Sequence, residues 1–439
     1  MARISSPTVK PASAAGEWGV TATTRGGAGT RSGTGVVNGM GHSLWAVPKS
    51  PLCRGPLGPY VVLMSPERTT IESLRDGDEP AKLELSRQAF GSQDPIDLAR
   101  PRPANEHIVA AYDGDTIVGC VTLLHDAQYF GGRAVASGGV AGVSVAAHAR
   151  GRNLARRMMR EAIDRLHRAG SAISALYPTT ATLYRSVGYE IAGLNAFSQI
   201  EIGDLPRGTG DTTFSPVTIG DLRAVYDAVA PSHDGWLERG DARWTIIGYD
   251  FDKSPQPSAA YLAHREGQLV GGLAYRQIAG ERRTVDLMAT QLVAIDRPAM
   301  REVLALLGAH GTMAGAMRTP LPEWELQAAV DNGQRIKRTF AMPWMVRMVD
   351  VGAAVAQRGY NPHVDLEVEI ELTDDHLAHN RGRFVLTVRD GAGSLEPGGR
   401  GLLALDIRDF AAAFTGQRAL DPRLAAAFGG RPPSLVDFF

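Results

Sequence analysis

Cysteine is nearly missing from this chain: Cys53 and Cys120 are the only two in 439 residues. Far apart and in unlike surroundings, they supply neither a disulfide framework nor a thiolate metal site, and a reducing cytoplasm is the expected compartment. A surplus of either charge is missing too. The 46 Lys and Arg against 47 Asp and Glu leave a formal net charge of -1, without the basic excess of a general nucleic-acid binder. No apolar run approaches the ~20 residues that a helix needs to cross a bilayer, and the patch at Tyr60–Val62 is too short and too far along for a signal-peptide core. No membrane or nucleic-acid partner is expected. What remains is a globular composition, 44% hydrophobic and 21% charged, in a chain long enough for several cores.

Residues 1–63 are rich in Gly, Ser, Thr and Ala with little apolar periodicity, and read as a disordered leader. Translation is expected to begin at Met64 or Met40. Helical patterning runs from Ile71 to Phe90. Ile108–Tyr112 and Thr116–Leu124, joined by Asp113-Gly114-Asp115, form a hairpin signal that feeds through Gly131-Gly132 into the next strand.

The stretch from Val140 to Leu166 organises the rest. Val140, Val143 and Val145 are strand residues, Arg150-Gly151-Arg152-Asn153 a basic turn, and Leu154, Met158, Ala162, Ile163 and Leu166 recur at helical spacing. A helix start carries unpaired N–H groups and partial positive charge, so a phosphate placed there meets donors and a favourable field together. Gly151 permits close backbone approach, and Asn153 tolerates a left-handed conformation. The turn is therefore an anion site.

These residues resemble the GNAT acyl-CoA-dependent N-acetyltransferases, whose motif is Arg/Gln-x-x-Gly-x-Gly/Ala after a Val-rich strand. Here the motif reads Arg150, Gly151, Arg152, Asn153, Leu154, Ala155, with Asn153 where the family usually has Gly. The resemblance implies that Arg150–Ala155 hold the pyrophosphate of acetyl-CoA, while main-chain groups of Val143, Ser144 and Val145 hold its pantetheine arm. It implies no metal.

After the helix, Gly170 is a stop and Ala172–Tyr177 a buried strand ended by Pro178. Thr182–Tyr189 then reads as a short helix stopped by Gly188. The run Leu183-Tyr184-Arg185-Ser186-Val187-Gly188-Tyr189 is similar to a Tyr-Gly-Arg-Phe-Gly-Tyr stretch in the enhanced intracellular survival (Eis) family of multi-amine acetyltransferases. Position alone favours Tyr184 as an amphipathic core tyrosine on a short helix, and Tyr189 competes with it. A phenol with an ordinary pKa of about 10 stays protonated at neutral pH and donates to a departing thiolate. The resemblance makes Tyr184 that acid and returns the C-terminal carboxylate, at Phe439, to the active site.

The Eis resemblance also implies an architecture: tandem GNAT folds, the second degenerate, followed by a sterol-carrier-like αβ domain, an α+β and α/β chain assembled as a homohexamer. The expected boundaries are 64–205, 206–345 and 346–439. Tyr261–Gly272 echoes the first hairpin about 150 residues later, and Gln291–Ile295 with Pro298–Leu307 echoes the strand and helix. Asp296-Arg297-Pro298 replaces the arginine-glycine turn, so the second copy lacks the phosphate cradle. Leu366–Leu372 and Phe384–Val388 alternate as two half-buried strands around a turn at Asp374–Arg383, with helices at Ile407–Phe414 and Pro422–Phe428.

The implied acceptor is a small-molecule amine of the polycationic aminoglycoside type. Phe90, Tyr129 and Phe130 are expected to wall its pocket, with Asp94 or Asp97 attracting the amine. Protein lysines or polyamines on the same scaffold, and a non-catalytic carrier of apolar ligands, are the alternatives. His376 and His379 have metal-ligand spacing but sit in a turn without a nearby cysteine, and no metal site is expected there.

Overall fold

The computed structural model describes residues 69–92, 96–281 and 284–438; the expected leader, Met40, Met64, Cys53, Asp94 and Phe439 lie outside them. The chain opens with β1 (Thr69–Ser73), α1 (Glu79–Phe90), β2 (Glu106–Asp113), β3 (Thr116–Phe130), β4 (Arg133–Val145), α2 (Leu154–Arg168), β5 (Ile173–Leu176), α3 (Ala181–Arg185) and β6 (Glu190–Glu201). The helical patterning expected from Ile71 begins later. Thr69, Thr70 and Ile71 favour an extended chain and pair as an edge strand with β2, and Gly77 at φ +87° separates them from α1. The hairpin, its continuation into β4, and the stop of α2 before Gly170 fall where the sequence places them.

α2 buries Leu154, Met158, Met159, Ala162, Ile163 and Leu166 against this sheet. Each of the Leu, Met and Ile side chains contributes about 1.5–3 kcal/mol by leaving water. A Cβ on Gly138 would stand 2.3 Å from Leu166, so the helix sits closer to the strands than any side chain there would allow.

A second unit repeats the order. It contains β7 (Thr212–Val217), α4 (Arg223–Val229), β8 (Leu237–Glu238), α5 (Asp241–Asp252), β9 (Ser258–Arg265), β10 (Gln268–Ala279), β11 (Val285–Ala294), α6 (Arg297–Gly308), β12 (Ala314–Thr319), α7 (Glu323–Ala329) and β13 (Lys337–Met348). β9–β10–β11 is an antiparallel meander and β11 runs parallel to β12, as β2–β3–β4 and β4 with β5 do. The two units share one 13-stranded sheet, ordered β1-β2-β3-β4-β5-β13-β6-β12-β11-β10-β9-β7, with β8 paired to β3 off this path. β13 thus inserts between β5 and β6, and β6 between β13 and β12: each unit lends a strand to the other.

The last part holds α8 (Val351–Gln357), β14 (Leu366–Thr373), β15 (Gly382–Arg389), β16 (Ala392–Pro397), β17 (Leu403–Asp406), α9 (Ile407–Phe414) and α10 (Pro422–Phe428). Its sheet runs β16-β15-β14-β17. Along β14, Val368, Ile370 and Leu372 face a core that Phe410, Phe414 and Phe428 complete. The expected simple turn at Asp374–Arg383 contains a short 3₁₀ segment (Ala378–Asn380) and a buried carboxylate, Asp374, held by Arg347 of β13 at 2.6 Å. Arg358 is buried as well, with its guanidinium 4.8 Å from the centre of Phe414 and donating to the Phe414 carbonyl. Replacing Arg358 with Met preserves its packed stem, whereas Arg358→Ala opens a cavity between aromatic rings. The alanine variant is expected to denature at lower urea than the methionine variant by about 2 kcal/mol or more.

Candidate active site

Parallel pairing between β4 and β5 covers only Ser137–Val140 opposite Ile173–Leu176. Beyond Val140 β4 bends away. Cys120 faces Ser144 and Thr122 faces Ala141, so Gly142 and Val143 together oppose one residue of β3. This β-bulge needs φ +58° at Gly142, which a side chain would resist although space for one exists. The bend leaves Val140–Val143 lining a cleft. Ser144 turns its side chain inward, donating to the Gly142 carbonyl at 3.0 Å.

The strand runs on into the basic turn. Arg150 folds back and donates from Nε to the Val145 carbonyl at 3.2 Å. Gly151 has φ +77° with open space where a Cβ would be, and Asn153 adopts the left-handed φ +59° that its side chain tolerates. No side chain caps α2. Its first N–H groups are therefore offered outward, with Arg152, Arg157 and His148 lining the adjacent recess. Donors, cationic side chains and an accessible backbone suit a pyrophosphate, and the open edge of β4 suits an extended amide-bearing arm.

The corresponding place in the second unit is closed. Asp296 accepts from Ala299 N at 2.7 Å and from Arg265 at 2.6 Å, filling the start of α6 with the protein's own carboxylate. The bond from Arg265 holds that carboxyl below its ordinary range. A phosphate there would meet like charge.

Tyr184 lies on α3 with 4% of its surface exposed, and lines a cleft of ≈ 660 Å³ together with the bulge residues Val140–Val143. Burial raises its phenol pKa more than a bond with Thr179 lowers it, so the proton stays on at neutral pH. Tyr189 is fully buried, with Oη 2.7 Å from Ser174 Oγ; both tyrosines pack in the same core, but only Tyr184 also lines the cleft.

Across the cleft comes the end of the chain. The Trp236 indole donates to Ser434 Oγ at 3.1 Å, Arg239 pairs with Asp437 at 3.0 Å in a buried salt bridge, and Phe438 stacks on Tyr177 with ring centres 5.0 Å apart. Val436, Asp437 and Phe438 line the same cleft as Tyr184. Tyr177 Oη, 2.7 Å from the Leu435 carbonyl and 2.9 Å from that of Asp437, fastens this segment. Sequence reasoning missed Tyr177; a tyrosine at the end of a buried strand, immediately before Pro178, was its only trace. Gly193 sits beneath the segment, where a Cβ would stand 2.4 Å from the Pro433 carbonyl oxygen. Gly193→Ala is expected to dislodge the chain end and cut turnover at least tenfold while acetyl-CoA affinity holds, as separate steady-state and titration measurements will show.

The expected acceptor walls are partly corrected. Phe90 does line the cleft and is 53% exposed. Phe130 is buried against Phe414, because an aromatic at the end of β3 gains more from that core than from solvent. Tyr129 lines a separate recess with Arg223 and Glu238, and Asp97 is engaged by the Tyr249 hydroxyl at 2.7 Å. His376 Nε2 lies 2.8 Å from Asp164 rather than beside His379. His379 stacks instead on His167 at 4.0 Å with planes 14° apart, and Asp350 lies near both. Lone pairs in near-parallel, separated ring planes do not converge on one ion.

Residues 70–192 match the acetyltransferase (GNAT) domain family and residues 351–428 the sterol carrier protein domain family. An uncharacterized N-acetyltransferase of Streptomyces coelicolor is 30% identical over 309 residues, 65% of this chain and 73% of that one. Another, from Streptomyces avermitilis, is 28% identical over 373 residues, 79% of this chain and 90% of the relative. Among solved structures, Eis1 from Mycobacterium abscessus superposes with a TM-score of 0.69 at 19% identity, over 84% of this chain and 100% of that one, which is a likeness of fold.

Proposed function

The chain belongs to the GNAT N-acetyltransferases, and from that premise we propose that it moves the acetyl group of acetyl-CoA onto a primary amine held in the cleft between its two GNAT-like units. One observation carries the reading: the buried, protonated Tyr184 shares its cleft both with the bulged end of β4 and with the incoming C-terminal segment. The donor supplies an activated thioester. Arg150, Gly151, Arg152, Asn153, Leu154 and Ala155 hold its pyrophosphate, and Val143, Ser144 and Val145 offer main-chain groups to its arm and its carbonyl oxygen. As the amine nitrogen bonds to the acetyl carbon and the C–S bond breaks, Tyr184 gives its proton to the sulfur. The amine's own proton leaves toward the C-terminal carboxylate of Phe439, acting through water or by stabilising charge, since a carboxylate near its ordinary pKa of about 3.5 is a weak base.

The same reading divides the chain into a catalytic unit at 64–205, a second GNAT-like unit at 206–345 without a CoA cradle and a sterol-carrier-like unit at 346–439. It makes the protein a cytoplasmic homohexamer of the Eis type. Among the described residues no helix is long and apolar enough to cross a membrane. Aminoglycoside-like polyamines are the acceptors that the Eis resemblance suggests trying first, then protein lysines and small polyamines.

The test is acetyl-CoA-dependent thiol release against aminoglycosides, polyamines and lysine peptides, comparing the full chain with one lacking Phe439. Turnover that falls at least tenfold on truncation is expected. Absence of both acetyl-CoA binding and turnover overturns the reading in favour of a carrier. Arg152→Glu is expected to weaken acetyl-CoA binding about tenfold or more by reversing charge at the cradle; unchanged affinity in a calorimetric titration would remove the cradle assignment.

A further inference from the structure

A cleft built for a polycationic acceptor should present carboxylates that no protein cation has already neutralised. Among the described residues each side-chain carboxylate lining it is taken. Glu106 faces Lys82 at 3.8 Å, Asp437 is paired with Arg239 at 3.0 Å, and Asp250 receives both Nε and Nη2 of Arg100 at 2.9 and 2.8 Å. Against these three acids the lining sets five cations, adding Arg243, which is itself paired with Asp126 at 2.5 Å, and Arg276. Among the described residues Arg276 alone brings a charge that no carboxylate balances.

Arg276, on β10, is the informative one. It makes no ion pair among the described residues: Nη2 donates to the main-chain oxygen of Asp250 at 2.6 Å, and Nε is shut away from solvent without a partner. Its guanidinium sits 5.4 Å from the centre of Phe251, which limits its orientations.

Beside it, β11 carries its own bulge. Ala274 faces Gln291 and Tyr275 faces Ala289, leaving Thr290 extra. Such an insertion turns two consecutive residues toward one side, and Thr290 and Gln291 both line the cleft. Gln291 accepts from Arg239 Nη1 at 2.8 Å through its amide oxygen. Its NH₂ remains as a donor on the same wall as Arg276. The second unit has thus lost the phosphate site at α6 but kept a bulge at the place where the first unit forms its active site.

We infer that this wall of the second unit selects the acceptor: Arg276 and Gln291 receive an oxyanion, carboxylate or phosphate, carried by the amine-bearing substrate, whose amine then reaches Tyr184 and the chain end. The inference rests on acetyl transfer in this cleft and replaces a polycation with a zwitterionic amine as the preferred acceptor.

The test uses matched pairs that differ only in the anion: free lysine against lysinamide, and phosphoethanolamine against ethanolamine. The expected result is a kcat/KM ratio of roughly 10–100 in favour of at least one anionic member, the size of a charge-assisted hydrogen bond. The ratio is expected to collapse toward one in Arg276→Gln and to return in part in Arg276→Lys. Gln291→Glu, which keeps an acceptor for Arg239 while replacing the donor with a repelling charge, is expected to lower the ratio without disturbing the fold. The lysine pair separates a carboxylate from the phosphate of the other pair. Ratios near one, or ratios that survive both substitutions, overturn the proposal even if polyamines are acetylated rapidly. Calorimetric binding of the same pairs to the CoA complex separates this result from failure of the transfer reading. An anion preference that depends on Arg276 without any turnover sustains the site and refutes the transfer; no preference in binding refutes the site.

Discussion

Tyr184→Phe is expected to lower kcat by about 10²-fold or more, within the range that a positioned proton donor supplies, with acetyl-CoA affinity unchanged. The hydroxyl is the only group removed. Its bond with Thr179 is a single neutral contact, so the loss in stability should not exceed about 1.5 kcal/mol and the variant should fold. The pH profile carries a second signature. Because burial raises the phenol pKa, the protonated form survives beyond the ordinary phenol value of about 10. The alkaline limb of kcat should therefore lie above that value in the parent enzyme and disappear in the phenylalanine variant. Steady-state thiol release across pH measures both.

Asp374→Ala is the substitution expected to cost the most stability, about 3–5 kcal/mol. It strands the Arg347 guanidinium, which is 0% exposed and bonds both carboxylate oxygens, at 2.7 and 2.6 Å. Asn380 Nδ2 and the backbone N–H of His376 also donate to this carboxylate, so several elements lose their anchor together. Replacing both partners, Arg347→Met with Asp374→Leu, should recover most of the loss because no charge is left buried. Burial alone would raise the Asp374 pKa, but Arg347 and Asn380 outweigh it and the net shift is downward. A carboxyl lowered on folding stabilises above its unfolded pKa of about 3.9 and loses that contribution as pH falls through the folded value. Urea denaturation should therefore show the parent losing stability below about pH 4, with the alanine variant flatter over that window.

The basic turn and α2 were legible because a 3.6-residue apolar repeat and a glycine between two arginines are local signals. The closed start of α6 was legible for the same reason, in Asp296 and Pro298. Pairing between distant segments left no such trace. Nothing in the residues of β6 and β13 marks them as shared, and only their register shows that each crosses into the other unit's sheet. The bulges at Gly142 and Thr290 arise from one unmatched residue opposite a neighbouring strand, which alternation within a single strand does not reveal. The acceptor wall was misread at Phe130, because an aromatic suits a core and a pocket equally, and no local pattern distinguishes Arg276 from the other arginines of the chain. The contacts that fasten the chain end, with Phe438 stacked on Tyr177, join residues some 260 positions apart and left no local trace either.

Hydrogen exchange of the full chain with and without acetyl-CoA tests the central claim most directly, because it reads where the donor sits without requiring the right acceptor. Slower exchange is expected at the amides of Val143–Val145 and Gly151–Ala155, with none at Ile295–Ala299 of the second unit. Unprotected amides at Gly151–Ala155, or protection at the start of α6 in their place, would contradict the account.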